Sequence, residues 1–169
     1  MDNIYLVGFM GTGKTSVGCA LAKNKKWHFV DLDDLICLRQ QRRIVDIFAQ
    51  DGEAYFRRLE KKTLKEVSAQ KNFVVSCGGG IVIDKNNIKL MKETGKLICL
   101  SASPQEILKR VSTDASRPLL IDRDPLKRIE LLLKMRAPYY MQADKFIDTT
   151  KLSIKQVVAK ISRLITQKK

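Results

Sequence analysis

Residues 8–15 read Gly-Phe-Met-Gly-Thr-Gly-Lys-Thr and follow the apolar run Ile4-Tyr5-Leu6-Val7. A G-x-x-x-x-G-K-[ST] run after a strand and before a helical pattern, here Ser16–Lys23, has the spacing of a phosphate-binding loop. Glycines allow tight backbone bends that turn N–H groups inward, so the stretch Gly8, Met10, Gly11, Thr12, Gly13 can surround phosphate oxygens. Lys14 can then reach the β- and γ-phosphates, and the Thr15 hydroxyl can serve Mg²⁺. Ser16 continues the contact at the start of the helix, whose positive dipole end favours anions.

The acidic residues narrow the kind of phosphate chemistry. A GTPase needs an N-K-x-D base-reading motif, and Asn24-Lys25-Lys26-Trp27 does not supply it. A motor-type ATPase shows an apolar strand ending in Asp-Glu, whereas Val75-Ser76 and Leu100-Ser101 end the strands here. Acids appear instead as Asp31-Leu32-Asp33-Asp34 after the second apolar run, where small-molecule kinases handle their acceptor. If the backbone turns at Leu32, Asp31 can hold Mg²⁺ through water while Asp33 orients or deprotonates an acceptor hydroxyl. The alternative is that these acids only cap the next helix.

Further along, Arg57 and Glu60 share a helix face at i and i+3, so the carboxylate can hold the arginine to fork onto a substrate carboxylate. An exposed ion pair of little energetic weight is the plainer reading. Ser76-Cys77-Gly78-Gly79-Gly80 ends the third strand, and three successive glycines suit a ligand pressed against bare backbone. Arg117-Pro118 lies in a polar stretch suited to a lid, from which an arginine can neutralise a phosphoryl group in transfer. Arg136-Ala137-Pro138 follows a helical pattern that the proline stops or kinks, aiming Arg136 into a cleft.

The elements that must position these groups alternate. Strands are expected at Ile4–Val7, Phe29–Asp31, Phe73–Ser76, Leu97–Leu100 and Phe146–Asp148, with helical patterns between, which predicts a parallel sheet covered on both faces. Ser103-Pro104-Gln105-Glu106 has capping-box spacing, Asp124-Pro125 repeats the cap-then-proline start, and Ser153 caps a last helix. That helix carries one apolar stripe of Ile154, Val157, Val158, Ile161, Leu164 and Ile165, expected to pack in the core.

The 169 residues fit one domain, 44% hydrophobic. No apolar stretch nears the roughly 20 residues a membrane helix requires, and the first residues lack a signal-peptide pattern. Cys19, Cys37, Cys77 and Cys99 form no C-x-x-C pair and are expected as reduced thiols of a cytoplasmic protein. His28 is the only histidine, so a histidine triad or zinc site is not expected. The net charge of +14 attracts anions, ATP and acidic metabolites among them. Nucleic acid is not the expected partner, since no aromatics interleave with the basic residues of the C-terminal stretch from Lys151.

Taken together these residues resemble the shikimate kinases. The resemblance runs in order through Gly8–Thr15, Asp31-x-Asp33, Asp46-Ile47-Phe48, Gly52-Glu53, Phe56-Arg57, Gly78–Gly80, Arg117-Pro118-Leu119-Leu120, Arg136-x-Pro138 with Tyr139, and Ala143-Asp144. It implies an α/β fold: a three-layer α/β/α P-loop kinase of the nucleoside-monophosphate-kinase type, with a central five-stranded parallel sheet. An acceptor-binding subdomain at about 32–60 and a lid at about 112–124 go with it. The implied reaction moves the γ-phosphoryl group of ATP to the 3-hydroxyl of shikimate, with Mg²⁺, in a cytoplasmic monomer. Position by position it puts Asp33 on the acceptor hydroxyls, Arg57 and Arg136 on the carboxylate, and Glu60 behind Arg57. It makes Phe48, Phe56, Gly78, Gly79 and Gly80 the pocket walls, and Lys14 and Arg117 the phosphoryl ligands. Thr15 and Asp31 would serve the metal, and Arg110 would stack on adenine. Two departures stand out: Cys37 where the family has glutamate, and Gln41 where it has a turning glycine. A gluconate-type or nucleoside-monophosphate kinase is the rival enzyme reading; the rival of another class is a non-catalytic nucleotide-binding module or a basic nucleic-acid-associated protein, which the net charge of +14 keeps open.

Overall fold

The computed structural model describes residues 3–112 and 124–166. Strands and helices alternate as β1 (Asn3–Val7), α1 (Lys14–Lys25), β2 (His28–Asp31), α2 (Leu32–Gln40), α3 (Ile44–Ser68), β3 (Phe73–Ser76), α4 (Lys85–Thr94), β4 (Gly95–Ser101), α5 (Pro104–Val111), α6 (Pro125–Tyr140), β5 (Lys145–Asp148) and α7 (Ile154–Thr166). All five strands are parallel, in the order β2-β3-β1-β4-β5. The expected strands are all present, with bounds within two residues of those read from the sequence. β1 is therefore central, and its C-terminal end opens where the chain departs towards α1, the place where open α/β sheets bind ligands.

The side-chain period of a strand sorts the core into two layers. Tyr5, Val7, Leu97 and Cys99 pack with Leu64, Val67, Ile88 and Met91 of α3 and α4 on one face. Ile4, Leu6, Ile98 and Leu100 pack with Val17, Leu21, Val157, Val158 and Ile161 of α1 and α7 on the other. The α7 stripe thus lies in the core as expected, except that Ile154 in its first turn is 47% exposed. A third cluster joins Phe9 to Ile107, Val111 and Ile129, and a small fourth one, Ile36, Ile47 and Phe56, fastens α2 to α3.

Helix starts follow the local chemistry with one exchange. Ser103 Oγ caps the Glu106 N–H at 3.3 Å, but the Glu106 side chain turns to Arg110 instead of closing the box. The reciprocal box forms at Ser153, whose N–H donates to Gln156 Oε1 while its Oγ accepts from the Gln156 N–H. Asp124 caps α6 through the Lys127 N–H. Pro138 does not stop α6, which runs on to Tyr140: the ring removes its own N–H, while the Met141 N–H still reaches the Ala137 carbonyl at 2.9 Å. Gln41 ends α2 in the left-handed region (φ 52°, ψ 32°), so the turn is kept without the glycine. Within α3 the helical path breaks at Gly52 (φ 80°, ψ 170°), a conformation essentially reserved for glycine.

Candidate active site

The loop after β1 needs its glycines. Gly8, Gly11 and Gly13 have φ of 139°, 75° and 93°, where L-residues are strained. Thr12 is buried and ties the loop from within by donating its hydroxyl to the Phe9 carbonyl at 2.8 Å. Lys14 Nζ reaches back to the carbonyls of Gly8 and Phe9, both at 3.0 Å. From the next strand end, Asp31 Oδ2 accepts the Thr15 hydroxyl at 2.9 Å. Arg110 of α5 fastens the loop's far side, donating to Glu106 Oε1, the Gly11 carbonyl, and both oxygens of Thr149.

At the end of β2 the chain turns at Leu32 straight into α2, and Asp31 Oδ1 caps it through the Asp33 N–H at 3.1 Å. Capping and the Thr15 contact therefore use the two oxygens of one carboxylate. Asp33, released from capping, points its half-buried side chain towards the glycine turn after β3, and its Oδ1 is sealed from solvent with no hydrogen-bond partner among the described residues. Burial, then the neighbouring Asp31, pushes its carboxyl up to about 6.

Arg57 and Glu60 project from α3 behind Gly52. Arg57 Nη1 donates to Glu60 Oε2 at 2.7 Å, and Nε and Nη2 donate to Glu53. This is no surface pair: Glu60 is 1% exposed, its Oε1 lacks a partner among the described residues, and burial lifts its carboxyl to about 7 against the opposing pull of Arg57. The glycine triplet explains itself in these contacts. A Cβ on Gly78 would stand 2.8 Å from Asp33 Oδ1 and 3.0 Å from Glu60 Oε1, one on Gly79 3.2 Å from Arg136 Nη1, and one on Gly80 2.5 Å from Arg57 Nη2. Each glycine makes room for a charged group.

These groups share one cleft of about 710 Å³ at the C-terminal ends of β1, β2 and β3. Phe48 and Phe56 form an aromatic wall, ring centroids 4.9 Å apart, with the Arg57 guanidinium 5.3 Å from the Phe56 ring. Arg136 enters from the end of α6 and lies 5.4 Å over the Phe9 ring. The cleft thus joins the glycine loop after β1 to a pocket that holds Asp33, Glu60, Arg57 and Arg136.

The shikimate kinase family model matches residues 10–166. The chain belongs to this family. It is 42% identical over 163 residues to the shikimate kinase of Caldanaerobacter subterraneus subsp. tengcongensis, covering 96% of this chain and 95% of that one. To the Moorella thermoacetica shikimate kinase it is 44% identical over 147 residues, covering 87% and 84%. Among solved structures, a shikimate kinase from Acinetobacter baumannii in complex with shikimate superposes with a TM-score of 0.92 at 36% identity, over 98% of this chain and 93% of that one. The Bacteroides thetaiotaomicron shikimate kinase gives 0.90 at 32%, over 98% and 99%.

Measured against the residues expected from the family resemblance, Met10, Gly11, Gly13, Lys14, Thr15, Ser16, Asp31, Asp33, Phe48, Phe56, Arg57, Glu60, Gly78, Gly79, Gly80, Arg110 and Arg136 all line the one cleft. Gly8 and Thr12 shape the loop without lining it. Arg117 and all but the ends of the expected lid lie outside the described residues. Ile44 and Tyr140 were not foreseen in the site. Ile44 lines the cleft from the first turn of α3, and the Tyr140 hydroxyl donates to the Gly79 carbonyl at 2.8 Å. An apolar residue in a helix's first turn carries no sequence signal of a site, and the Tyr140 bond spans 61 residues. Of the family departures, Cys37 is half-buried, and it is not among the described residues that line the cleft.

Proposed function

We propose that this cleft transfers the γ-phosphoryl group of ATP to the 3-hydroxyl of shikimate, giving shikimate 3-phosphate and ADP, and so serves aromatic amino acid biosynthesis. The observation that carries the reading is the glycine turn 78–80, against which Asp33, Glu60, Arg57 and Arg136 all close, one loop away from Lys14 and Thr15.

The acceptor is a ring with a carboxylate and hydroxyls. Arg57, fixed by Glu60 and Glu53, and Arg136 take the carboxylate in charge-assisted hydrogen bonds. Phe48 and Phe56 wall the ring, and Gly78, Gly79 and Gly80 let it approach the backbone. Asp33 then meets the hydroxyl to be phosphorylated. A carboxyl displaced to about 6 is ionised at neutral pH and a stronger proton acceptor than an ordinary aspartate, which suits it to hold and then accept the hydroxyl proton. Lys14, with Arg117, neutralises the phosphoryl oxygens, while Gly8, Met10, Gly11, Thr12, Gly13 and Ser16 supply the phosphate cradle. Arg110 has its N–H edge bonded to protein and offers adenine the flat face of its guanidinium. Catalysis is positioning plus charge stabilisation.

Thr15 and Asp31 fit Mg²⁺. Both are hard oxygen donors, and the threonine proton points at the aspartate, leaving the hydroxyl lone pairs for a cation. Such an ion supplies charge neutralisation on the phosphate oxygens when bound. One chain builds the whole cleft, which supports a monomer. No described helix is long and apolar enough to cross a membrane. A cytoplasmic setting and the absence of a nucleic-acid partner complete the proposal.

The test is ADP release from ATP and Mg²⁺ with shikimate, beside quinate, gluconate and nucleoside monophosphates. Release should depend on shikimate. Asp33→Ala should lose at least about a hundredfold in turnover while still binding ATP. Wild-type turnover in that variant, or release with another acceptor only, overturns the assignment.

A further inference from the structure

The last turn of α6 holds a residue that no motif marks. Tyr140 is 7% exposed, and its hydroxyl donates to the Gly79 carbonyl at 2.8 Å. Arg136 stands one turn earlier on the same helix face, and its guanidinium comes up beside the same phenol, whose proton affinity it lowers. Arg136 Nη1 and Tyr140 Oη lie 3.2 and 3.6 Å from the point where a Gly79 Cβ would sit. A phenol donates once and accepts from its lone pairs. Here the proton is committed to Gly79, so what the oxygen offers Arg136 is acceptance.

The two arginines read as carboxylate ligands are held differently. Arg57 is anchored by Glu53 and Glu60. For Arg136 no carboxylate partner exists among the described residues, and its other contact is the face of Phe9. A long side chain without an ion pair loses rotamer freedom when it binds a ligand, and a fixed acceptor reduces that loss. A carboxylate would fix Arg136 too, but would offset its charge, as Glu53 and Glu60 already do in part at Arg57. A neutral phenol does not offset it. Burial raises the Tyr140 phenol to about 12, which keeps it neutral across the physiological range.

We propose that Tyr140 is the positioning residue for Arg136: anchored on the Gly79 carbonyl, its hydroxyl aims the guanidinium at the acceptor carboxylate without neutralising it. This rests on the reading of Arg136 as a carboxylate ligand.

Steady-state kinetics on Tyr140→Phe, Arg136→Ala and the double variant test it. Tyr140→Phe should raise the KM for shikimate about tenfold, the effect of one lost hydrogen bond to a charged group. It should leave the KM for ATP unchanged, and the double variant should be no worse than Arg136→Ala. Equal rises in both KM values, or effects that multiply in full in the double variant, make Tyr140 merely structural and overturn the proposal. A raised shikimate KM in Arg136→Ala with an unchanged one in Tyr140→Phe sinks the positioning role alone. An unchanged shikimate KM in Arg136→Ala sinks the carboxylate reading and this inference with it.

Discussion

Gly80 shows what kind of constraint operates in this cleft. Its φ of −97° and ψ of −6° are open to any residue, so backbone freedom does not account for the glycine. Space does: a Cβ there would meet Arg57 Nη2 at 2.5 Å and Nη1 at 2.8 Å. The colliding atoms are the tip of a side chain, which can move, whereas Gly8 would collide with the Leu100 carbonyl, which cannot. Gly80→Ala should therefore fold and fail selectively. Arg57 must leave the line set by Glu60, so the KM for shikimate should rise by at least about tenfold, as small misplacements of positioning groups do, with the KM for ATP preserved. A variant that melts many degrees lower, or loses ATP affinity equally, would show that the turn itself needs the glycine.

The elements were largely legible because their signals are local. Strands such as Val74–Val75 and Leu97–Leu100 are continuous apolar runs, as strands covered on both faces must be. The phosphate loop is contiguous, and the caps at Ser103, Asp124 and Ser153 need only their own helix turns. What escaped depends on tertiary contact. The spacing of Arg57 and Glu60 alone also allowed a surface pair; the family resemblance put both in the site, but the burial of the glutamate follows only once α3 packs on the sheet. The bond from Tyr140 to Gly79 exists only after α6 returns to the end of β3. The turn after α2 is the informative middle case: the family's glycine is replaced, yet Gln41 adopts the left-handed conformation regardless, φ 52°. A left-handed non-glycine residue costs about 1 kcal/mol, partly offset by the smaller entropy of its unfolded chain. Gln41 is exposed, so Gln41→Gly should relieve strain and remove no core contact. The expected gain is about 0.5 kcal/mol or more, read as a higher urea midpoint with an unchanged m-value. A loss of stability would mean the Gln41 side chain contributes more than its backbone costs.

Across the molecule as a whole, a chain of net charge +14 gathers Asp31, Asp33, Asp34 and Glu60 around one cleft. The surrounding positive field draws anionic ligands, while burial of Asp33 and Glu60 makes the folded protein hold protons more tightly than the unfolded chain. The sign follows from linkage. Glu60 has a folded value of about 7 against an ordinary 4.5, and Asp33 about 6 against 3.8. Between those limits the folded state carries more protons, so stability falls as pH rises from about 4.5 to about 7. For Glu60 alone the fall is on the order of 2–3 kcal/mol. Asp46, Asp84, Asp124 and Asp148 work oppositely, held below the ordinary value by their hydrogen bonds, and they withdraw their contribution only at more acidic pH. The groups that face Glu60 include Arg57 and Glu53 of its own helix, Asp33 of α2 and, just after β3, the Cys77 thiol, which burial keeps neutral. Mutual repulsion of the excess positive charges grows in acid, but it is common to any variant that keeps the other charges. Comparing Glu60→Gln with the parent from pH 5 to pH 7.5 therefore isolates the one carboxyl. The variant should be the less stable at pH 5, where it has exchanged a neutral acid for an amide of poorer fit, and should lose less stability as pH rises, so that the two denaturant midpoints converge or cross near neutrality. Parallel profiles would place the Glu60 titration outside this window and remove the buried, strained carboxylate from the account of the cleft.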